Sequence, residues 1–362
     1  MINGQSFRST PLRHVRTASA GALAFAAALS LAACSTSPAA PSGSTAKSVH
    51  IGLVYYESSV EAFQEMAYGG SYSAKTTKGV TLTEAAPSTE NPTEQLADFQ
   101  STAQVATDGI VLQTLRGDLF LRPVQQATAK GIPVIEIDSP LPAGSGANLF
   151  VTNDNEALGE NLAKAMLAKV PASATGEIVI GNNGPAVPPL MQRVAGMEKV
   201  IKAERPGLTL VGPITTGSTV TDNLASWSSI LRSHPDAVAY MAPSAQDASS
   251  IATLSRQSGK KYNAGGCDLA SSALQGIKDG YITALASPEH WLKGYIAMSI
   301  LTDHAQTGAK IPSGIWITPS LLVDSSNVDK IIARQATEAS RAASFGAEAK
   351  AMVAEPTKYM VK

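Results

Sequence analysis

From residue 49 onward the chain alternates short apolar runs with stretches of helical periodicity, and it does so in two successive series. The first run, 49–56 (VHIGLVYY), is continuous and rich in β-formers, as expected of a strand covered on both faces of a parallel sheet. A helical stretch follows from Glu61, then a strand at 80–86. Pro92 opens the next helix in its first turn, where a missing N–H costs nothing; Leu96, Phe99, Ala103 and Ala106 share that helix's apolar face. Strand 109–114, helix 119–130 and strand 132–138 complete the first series. In the second, helices at 156–169, 191–203, 223–232 and 248–257 alternate with strands at 177–181, 208–214 and 237–242, with further strands at 262–267 and 282–286. Such alternation predicts an α/β fold of doubly wound parallel sheets with right-handed crossovers. At 362 residues the chain suits two lobes of this kind, each able to bury its own core.

Composition narrows the function. The chain carries 28 Lys+Arg against 29 Asp+Glu, a net charge of −1, so it lacks the basic excess that a nucleic-acid binder needs. Apolar residues at 44% exclude a disordered chain. Two cysteines, Cys34 and Cys267, and five scattered histidines supply neither a disulfide framework nor a zinc cluster, so no metal is expected. There is no G-x-S-x-G elbow, H-E-x-x-H helix, phosphate loop or strand-linked G-x-G-x-x-G, so no catalytic residue and no cofactor are expected either.

The N-terminus reads as an address. Arg8, Arg13 and Arg16 precede an uncharged run at 18–33, the charged and apolar regions of a secretory signal. The run is shorter than the roughly 20 residues that span a bilayer as a helix. It ends in Leu31-Ala32-Ala33-Cys34, which resembles the bacterial lipobox, whose cysteine becomes diacylated and then N-terminal. An ordinary signal peptide with an incidental cysteine is the alternative. The expectation is a signal peptide at 1–33, lipidation at Cys34, a flexible Ser/Thr/Pro/Ala/Gly linker at 34–48, and a body held on the extracytoplasmic face of the cell membrane. Removing 1–33 takes away three arginines and no acid, which moves the net charge from −1 to −4. Cys267 is then alone and is expected to be a buried small hydrophobe.

In open α/β sheets ligands sit outside the carboxyl ends of the strands. The residues there are Tyr55, Tyr56, Glu57, Ser58 and Ser59 after the first strand, Gln113 and Thr114 after the third, and Asp138 and Ser139 after the fourth. The second series contributes Asn182 and Asn183, Ser244 and Asp268. Carboxylates and amides that satisfy hydroxyls, with aromatics to cover C–H surfaces, line a sugar or polyol pocket. Any one of these residues could instead cap a helix or a turn.

Several segments, in order, resemble the type I periplasmic solute-binding proteins, and among them the ribose-binding-like group that feeds ABC importers. Asn91-Pro92 leads a helix that ends in Asp108-Gly109-Ile110-Val111-Leu112; Gly131-Ile132-Pro133-Val134-Ile135 is followed by Asp138. Thr152-Asn153-Asp154-Asn155 with Leu158-Gly159 is similar to the family's crossing into a second lobe. Arg193 with Gly196-Met197, His234-Pro235-Asp236, and Gly266-Cys267-Asp268 followed by Gly276, Ile277 and Gly280 extend the match, which covers 49–324.

The resemblance implies two doubly wound parallel-sheet lobes joined by a three-strand hinge, with crossings near Asn153, Ser287 and Pro319. One lobe would be 49–152 plus 288–318, the other 153–287 plus 319–362, including a helical tail. It implies a monomer that closes around a small carbohydrate or polyol and delivers it to permease and ATPase subunits. A role in ligand sensing for a membrane receptor, or a non-sugar ligand, is the alternative. Asp138 and Asp268 fall at the family's hydroxyl-binding aspartates, Gln113 at its first-lobe amide and Phe63 at a stacking aromatic. Tyr56, Glu57 and Ser59 line the first loop.

Arg193 either contacts solute or pairs locally. Met191 replaces the family's ligand-binding arginine, and Ser244-Ala245 replaces an Asn-Asp pair. Ser287 or Pro288 replaces a glutamine, with His290 and Trp291 just beyond. Trp291 either stacks on solute or packs the lobe; His290 either touches ligand or lies on the hinge surface. Fewer donors and more apolar surface imply a smaller or less hydroxylated polyol, a deoxy sugar or a partly apolar compound rather than ribose.

Overall fold

The structure, a computed structural model, describes residues 47–361. The expected signal peptide and Cys34 lie outside the described residues. The strands are β1 (Val49–Val54), β2 (Val80–Ala85), β3 (Gly109–Thr114), β4 (Val134–Asp138), β5 (Leu149–Asn153), β6 (Glu177–Asn182), β7 (Thr209–Thr215), β8 (Ala239–Met241), β9 (Ala264–Cys267), β10 (Ala284–Ser287), β11 (Gly314–Thr318), β12 (Leu321–Asp324) and β13 (Met360–Val361). The helices are α1 (Glu61–Thr76), α2 (Pro92–Val105), α3 (Leu121–Ala129), α4 (Asn155–Leu167), α5 (Pro188–Glu204), α6 (Val220–Ser233), α7 (Ala245–Ser258), α8 (Ser271–Lys278), α9 (His290–Thr307), α10 (Val328–Gln335) and α11 (Glu338–Ala354).

They form two sheets of matching topology, 2-1-3-4-5-11-13 and 7-6-8-9-10-12. Pairing is parallel except at one edge of each sheet, where β13 joins β11 and β12 joins β10 antiparallel. Each sheet buries both faces, as its continuous apolar strands require. On the first sheet α1, α9 and α11 cover one face and α2 and α3 the other. On the second, α4 and α5 cover one face and α6, α7, α8 and α10 the other. The expected α/β architecture of two doubly wound lobes is what is found.

In each lobe one helix pair packs with its backbones touching, through two glycines. A Cβ on Gly69 or Gly294 would collide with the carbonyl of Trp291 or Met66, locking α1 to α9. A Cβ on Gly159 or Gly196 would collide with the carbonyl of Arg193 or Glu156, locking α4 to α5 in the same way. These close approaches fix the first turns of α5 and α9 beside the strand ends.

The chain passes between the lobes after β5, after β10 and between β11 and β12. The Asn153 amide nitrogen ties these passages together, lying 2.9 Å from Pro288 O, 2.9 Å from Thr318 Oγ1 and 3.3 Å from Pro319 O. The tail differs from the expectation that 319–362 stays with the second lobe. Only β12 and α10 do so. The chain then crosses a fourth time, α11 buries Phe345, Ala349 and Met352 in the first lobe's core, and β13 extends the first sheet. The apolar stripe of α11 finds its partner on α9, on the other lobe from the strand that precedes it. Arg334, at the end of α10, reaches back to the Glu289 carboxylate at 2.7 and 3.0 Å, and its guanidinium lies over the Phe345 ring.

Candidate ligand-binding cleft

Three non-glycine residues among those described have positive φ: Asp138 (71°), Asp268 (67°) and Glu289 (49°). Two of them are the aspartates that end β4 and follow β9, equivalent strands of the two lobes. Aspartate tolerates the left-handed region better than most residues, and such strain collects at functional sites.

Both carboxylates are buried, and each faces a cation of its own lobe. Lys293 Nζ, on α9, lies 2.6 Å from Asp138 Oδ1, and Gln113 Nε2 donates to Oδ2 at 3.0 Å. The Gln113 amide is itself held, accepting from Tyr56 N at 2.9 Å. Burial pushes the Asp138 carboxyl up, but the charges of Lys293 and His290 and these hydrogen bonds outweigh it and hold it below the ordinary range. In the second lobe Arg193 Nη1 lies 3.2 Å from both oxygens of Asp268. Arg193 is braced by Asn155 Oδ1 at 3.0 Å and Pro243 O at 2.8 Å. The Ala245 amide donates to Asp268 Oδ2 at 3.2 Å. Here too burial opposes ionisation, and Arg193 and His290 override it, so Asp268 is held far below the usual carboxylate range.

His290 links the lobes. It starts α9 in the first lobe, and its Nε2 lies 3.0 Å from Asp268 Oδ1 in the second. The same ring bears on Asp138 as well, so the two aspartates share one electrostatic neighbourhood. A second bridge closes the outer lip, where the Glu61 carboxylate on α1 accepts from Ser271 N at 2.8 Å and Ser271 Oγ at 2.6 Å, at the start of α8. Buried atoms without a hydrogen-bond partner among the described residues include Ser139 Oγ, Asn153 Oδ1 and Asn183 Oδ1 at the strand ends and His290 Nδ1 at the start of α9.

The remaining expected residues fall as follows. Tyr56 and Phe63 meet edge to face, with centroids 5.9 Å apart, and Tyr56 Oη donates to Glu90 at 2.7 Å. Ser59 bonds to Glu57 at the rim. Met191 is exposed, its sulfur 3.7 Å from the Asn182 amide. Ser244 accepts from Asp247 N at 3.2 Å and donates to Asp247 Oδ2, so its hydroxyl is spent capping α7. Trp291 departs furthest from a stacking role. It is wholly buried in the first lobe's core, stacked with Tyr295 and Phe345 at 5.2 and 5.3 Å, and offers no face to a solute. His290 is buried between the lobes rather than on the hinge surface. Lys293 escaped the sequence reading because it sits in a helical run with no strand end beside it. Its one signal was a lysine amid residues 291–298, which are otherwise uncharged. Cys267 is buried, and desolvation pushes its thiol up to about 12, as expected of an inert core residue.

The chain belongs to the periplasmic binding protein domain family, whose model matches residues 51–310. The type I resemblance seen in the sequence is thereby borne out. Among curated proteins it is similar to the xylose/arabinose-binding protein XylF of Sulfolobus acidocaldarius, at 24% identity over 261 residues, covering 65% of this chain and 63% of that one. It is also similar to the ribose import binding protein RbsB of Bacillus subtilis, at 26% over 213 residues, covering 58% and 67%. The chain's match thus spans no more than about two thirds of the length of either relative. Among solved structures, the glucose-galactose binding protein GanP of Geobacillus stearothermophilus superposes with a TM-score of 0.69 at 25% identity, over 78% of this chain and 99% of that one. An ABC transporter solute-binding protein from Agrobacterium vitis with bound D-fucose superposes at 0.71, with 24% identity over 79% and 99%.

Proposed function

We propose that this chain is the extracytoplasmic solute-binding lipoprotein of an ABC importer, and that its lobes close around a small carbohydrate or polyol. The observation that carries the reading is the pair of left-handed aspartates, one per lobe, brought into one neighbourhood by His290. Ionised carboxylates held by cations and amides are acceptors for ligand hydroxyls, and with one on each lobe a bound polyol ties the closed state together. Relatives named for xylose, arabinose and ribose support the same ligand class. The exposed Met191 and the capped Ser244 leave the second lobe with fewer free donors, which favours a deoxy or otherwise less hydroxylated sugar.

Anchoring through a diacylated Cys34 and delivery to a permease complete the reading, on the strength of the Leu31–Cys34 motif and of the family's transport role. Cys34→Ser should abolish lipid labelling and release the protein from the membrane fraction; continued labelling would overturn the anchor. For binding, the test is a thermal-shift screen against pentoses, hexoses, deoxy sugars, sugar alcohols, amino acids and small acids. A ligand at 100 times its dissociation constant adds about 2.7 kcal/mol to the folded state, a shift of several degrees. A response to sugars or polyols, with the ligand recovered unchanged, is expected. A response confined to amino acids would overturn the carbohydrate reading.

A further inference from the structure

Resting on that reading and deepening it, we infer that Lys293 is a ligand-contacting specificity residue, and that with Asp138 it makes the cleft select an uncharged solute.

Two buried carboxylates, Asp138 and Asp268, face two buried cations, Lys293 at 2.6 Å and Arg193 at 3.2 Å. Counted over these four side chains, two carboxylates, an ammonium and a guanidinium, the charges cancel. The adjoining Glu289–Arg334 pair is neutral on its own account. An isolated charge is expensive to bury, so a site already balanced favours a ligand that brings none.

Lys293 is more than a counter-ion, because its hydrogen-bonding capacity is unspent. An ammonium has three donors, and among the described residues Lys293 has one acceptor, Asp138 Oδ1. It is about 1% exposed, so bulk solvent does not reach the other two. Ser139 Oγ, one residue from Asp138, is also buried without a partner. Asp138 accepts from only two donors and keeps lone-pair capacity. Spare donors on Lys293 beside spare acceptor sites on Asp138 match neighbouring hydroxyls of a neutral polyol, each of which both accepts and donates. A ligand carboxylate would compete with Asp138 for Lys293, and a ligand ammonium would compete with Lys293 for Asp138.

The test uses the full chain in isothermal titration against a matched set: D-galactose, D-galacturonate and D-galactosamine, with D-fucose, D-xylose and L-arabinose as further neutral probes. The wild type is expected to bind at least one neutral sugar and to bind its acid and amine counterparts at least tenfold more weakly. Lys293→Met should weaken neutral binding about ten- to a hundredfold, the loss of a charge-assisted hydrogen bond. It should also shift the ratio of amine to neutral affinity toward the amine, because Asp138 is left uncompensated. A merely structural role for Lys293 would not move that ratio. If Lys293→Met fails to fold, the double variant Lys293→Met with Asp138→Asn is compared with Asp138→Asn alone, and a further loss of neutral binding in the double variant is the expected readout. Neutral binding unchanged in Lys293→Met, or no weaker in the double variant than in Asp138→Asn alone, overturns the role of Lys293. Preference of the wild type for galacturonate or galactosamine overturns the charge assignment but leaves a sugar-binding protein. No binding of any sugar overturns the carbohydrate reading, and this inference with it.

Discussion

The two lobes set a cation against an aspartate at equivalent strand ends, yet they build the pair differently. In the second lobe the cation is Arg193, on a helix of the same continuous segment, locked to α4 through Gly159 and Gly196 and braced by Asn155 and Pro243 O. Its Nε and Nη1 are held by fixed acceptors. In the first lobe the cation is Lys293, a point charge on a flexible stem, and the chain has passed through the second lobe and returned before supplying it 155 residues after Asp138. The first pair therefore depends on the hinge passages being correctly assembled, whereas the second forms within one lobe. A rigid pair and an adjustable one, facing each other, suit a clamp in which one lobe presents a fixed surface and the other adapts to ligand.

The sharpest way to break this contrast is Arg193→Met. It leaves Asp268 buried with only His290 and the Ala245 amide as partners and should cost about 3–5 kcal/mol of stability in denaturant unfolding. A cost under 1 kcal/mol would mean that the second pair is not the rigid one.

A pH titration of stability separates the lobes next. β4 carries a buried Glu136 two residues before Asp138, where β9 has Gly266. Burial raises Glu136 to about 7, only partly opposed by the Leu141 amide that donates to it. The folded state then holds a proton that the unfolded chain has lost between about pH 4.5 and 7. Stability should fall as pH rises through that window, by about 2–3 kcal/mol. Glu136→Gln should abolish this slope in unfolding curves measured at each pH. The depressed Asp138 and Asp268 act oppositely, since their contribution is present above the usual carboxylate value and is lost only in stronger acid.

Binding should distinguish the two aspartates. Asp268 already accepts from Arg193, His290 and Ala245 N, whereas Asp138 accepts from Lys293 and Gln113. Asp138→Asn should therefore cost the larger part of a 1.5–3 kcal/mol range in sugar affinity by calorimetry, and Asp268→Asn the smaller part. Equal losses would mean that the lobes contribute alike.

The smallest effect belongs to the lip. Glu61→Gln weakens an exposed bridge to Ser271 and should lower affinity by about 0.5–1 kcal/mol, severalfold or less, through a less favoured closed state. No change would place the control of closure at His290 alone.

Much of this was legible in the chain. Short apolar runs rich in β-formers that alternate with helical stretches are the pattern of strands buried on both faces, so the lobes and the carboxyl-end positions of Gln113, Asp138 and Asp268 followed from local patterning. Gly159 and Gly196 lay within the resemblance, although the reason for them is a backbone contact. What the sequence could not disclose is concentrated in α9. Residues 290–298 are all buried, because the first sheet, α1 and the returning α11 enclose that helix. A helix covered on every side has no polar face, and periodicity then cannot say which residue points where.

Local composition by itself determined the alternation, the doubly wound lobes and the acids at their strand ends, because these depend on neighbours a few residues apart. Tertiary structure alone decided that Trp291 is core, that His290 bridges the lobes, that α11 returns to the first lobe and that Lys293 finds Asp138. Each of these joins segments brought together only by the hinge crossings, and the burial that makes them energetically consequential does not exist until the lobes have folded.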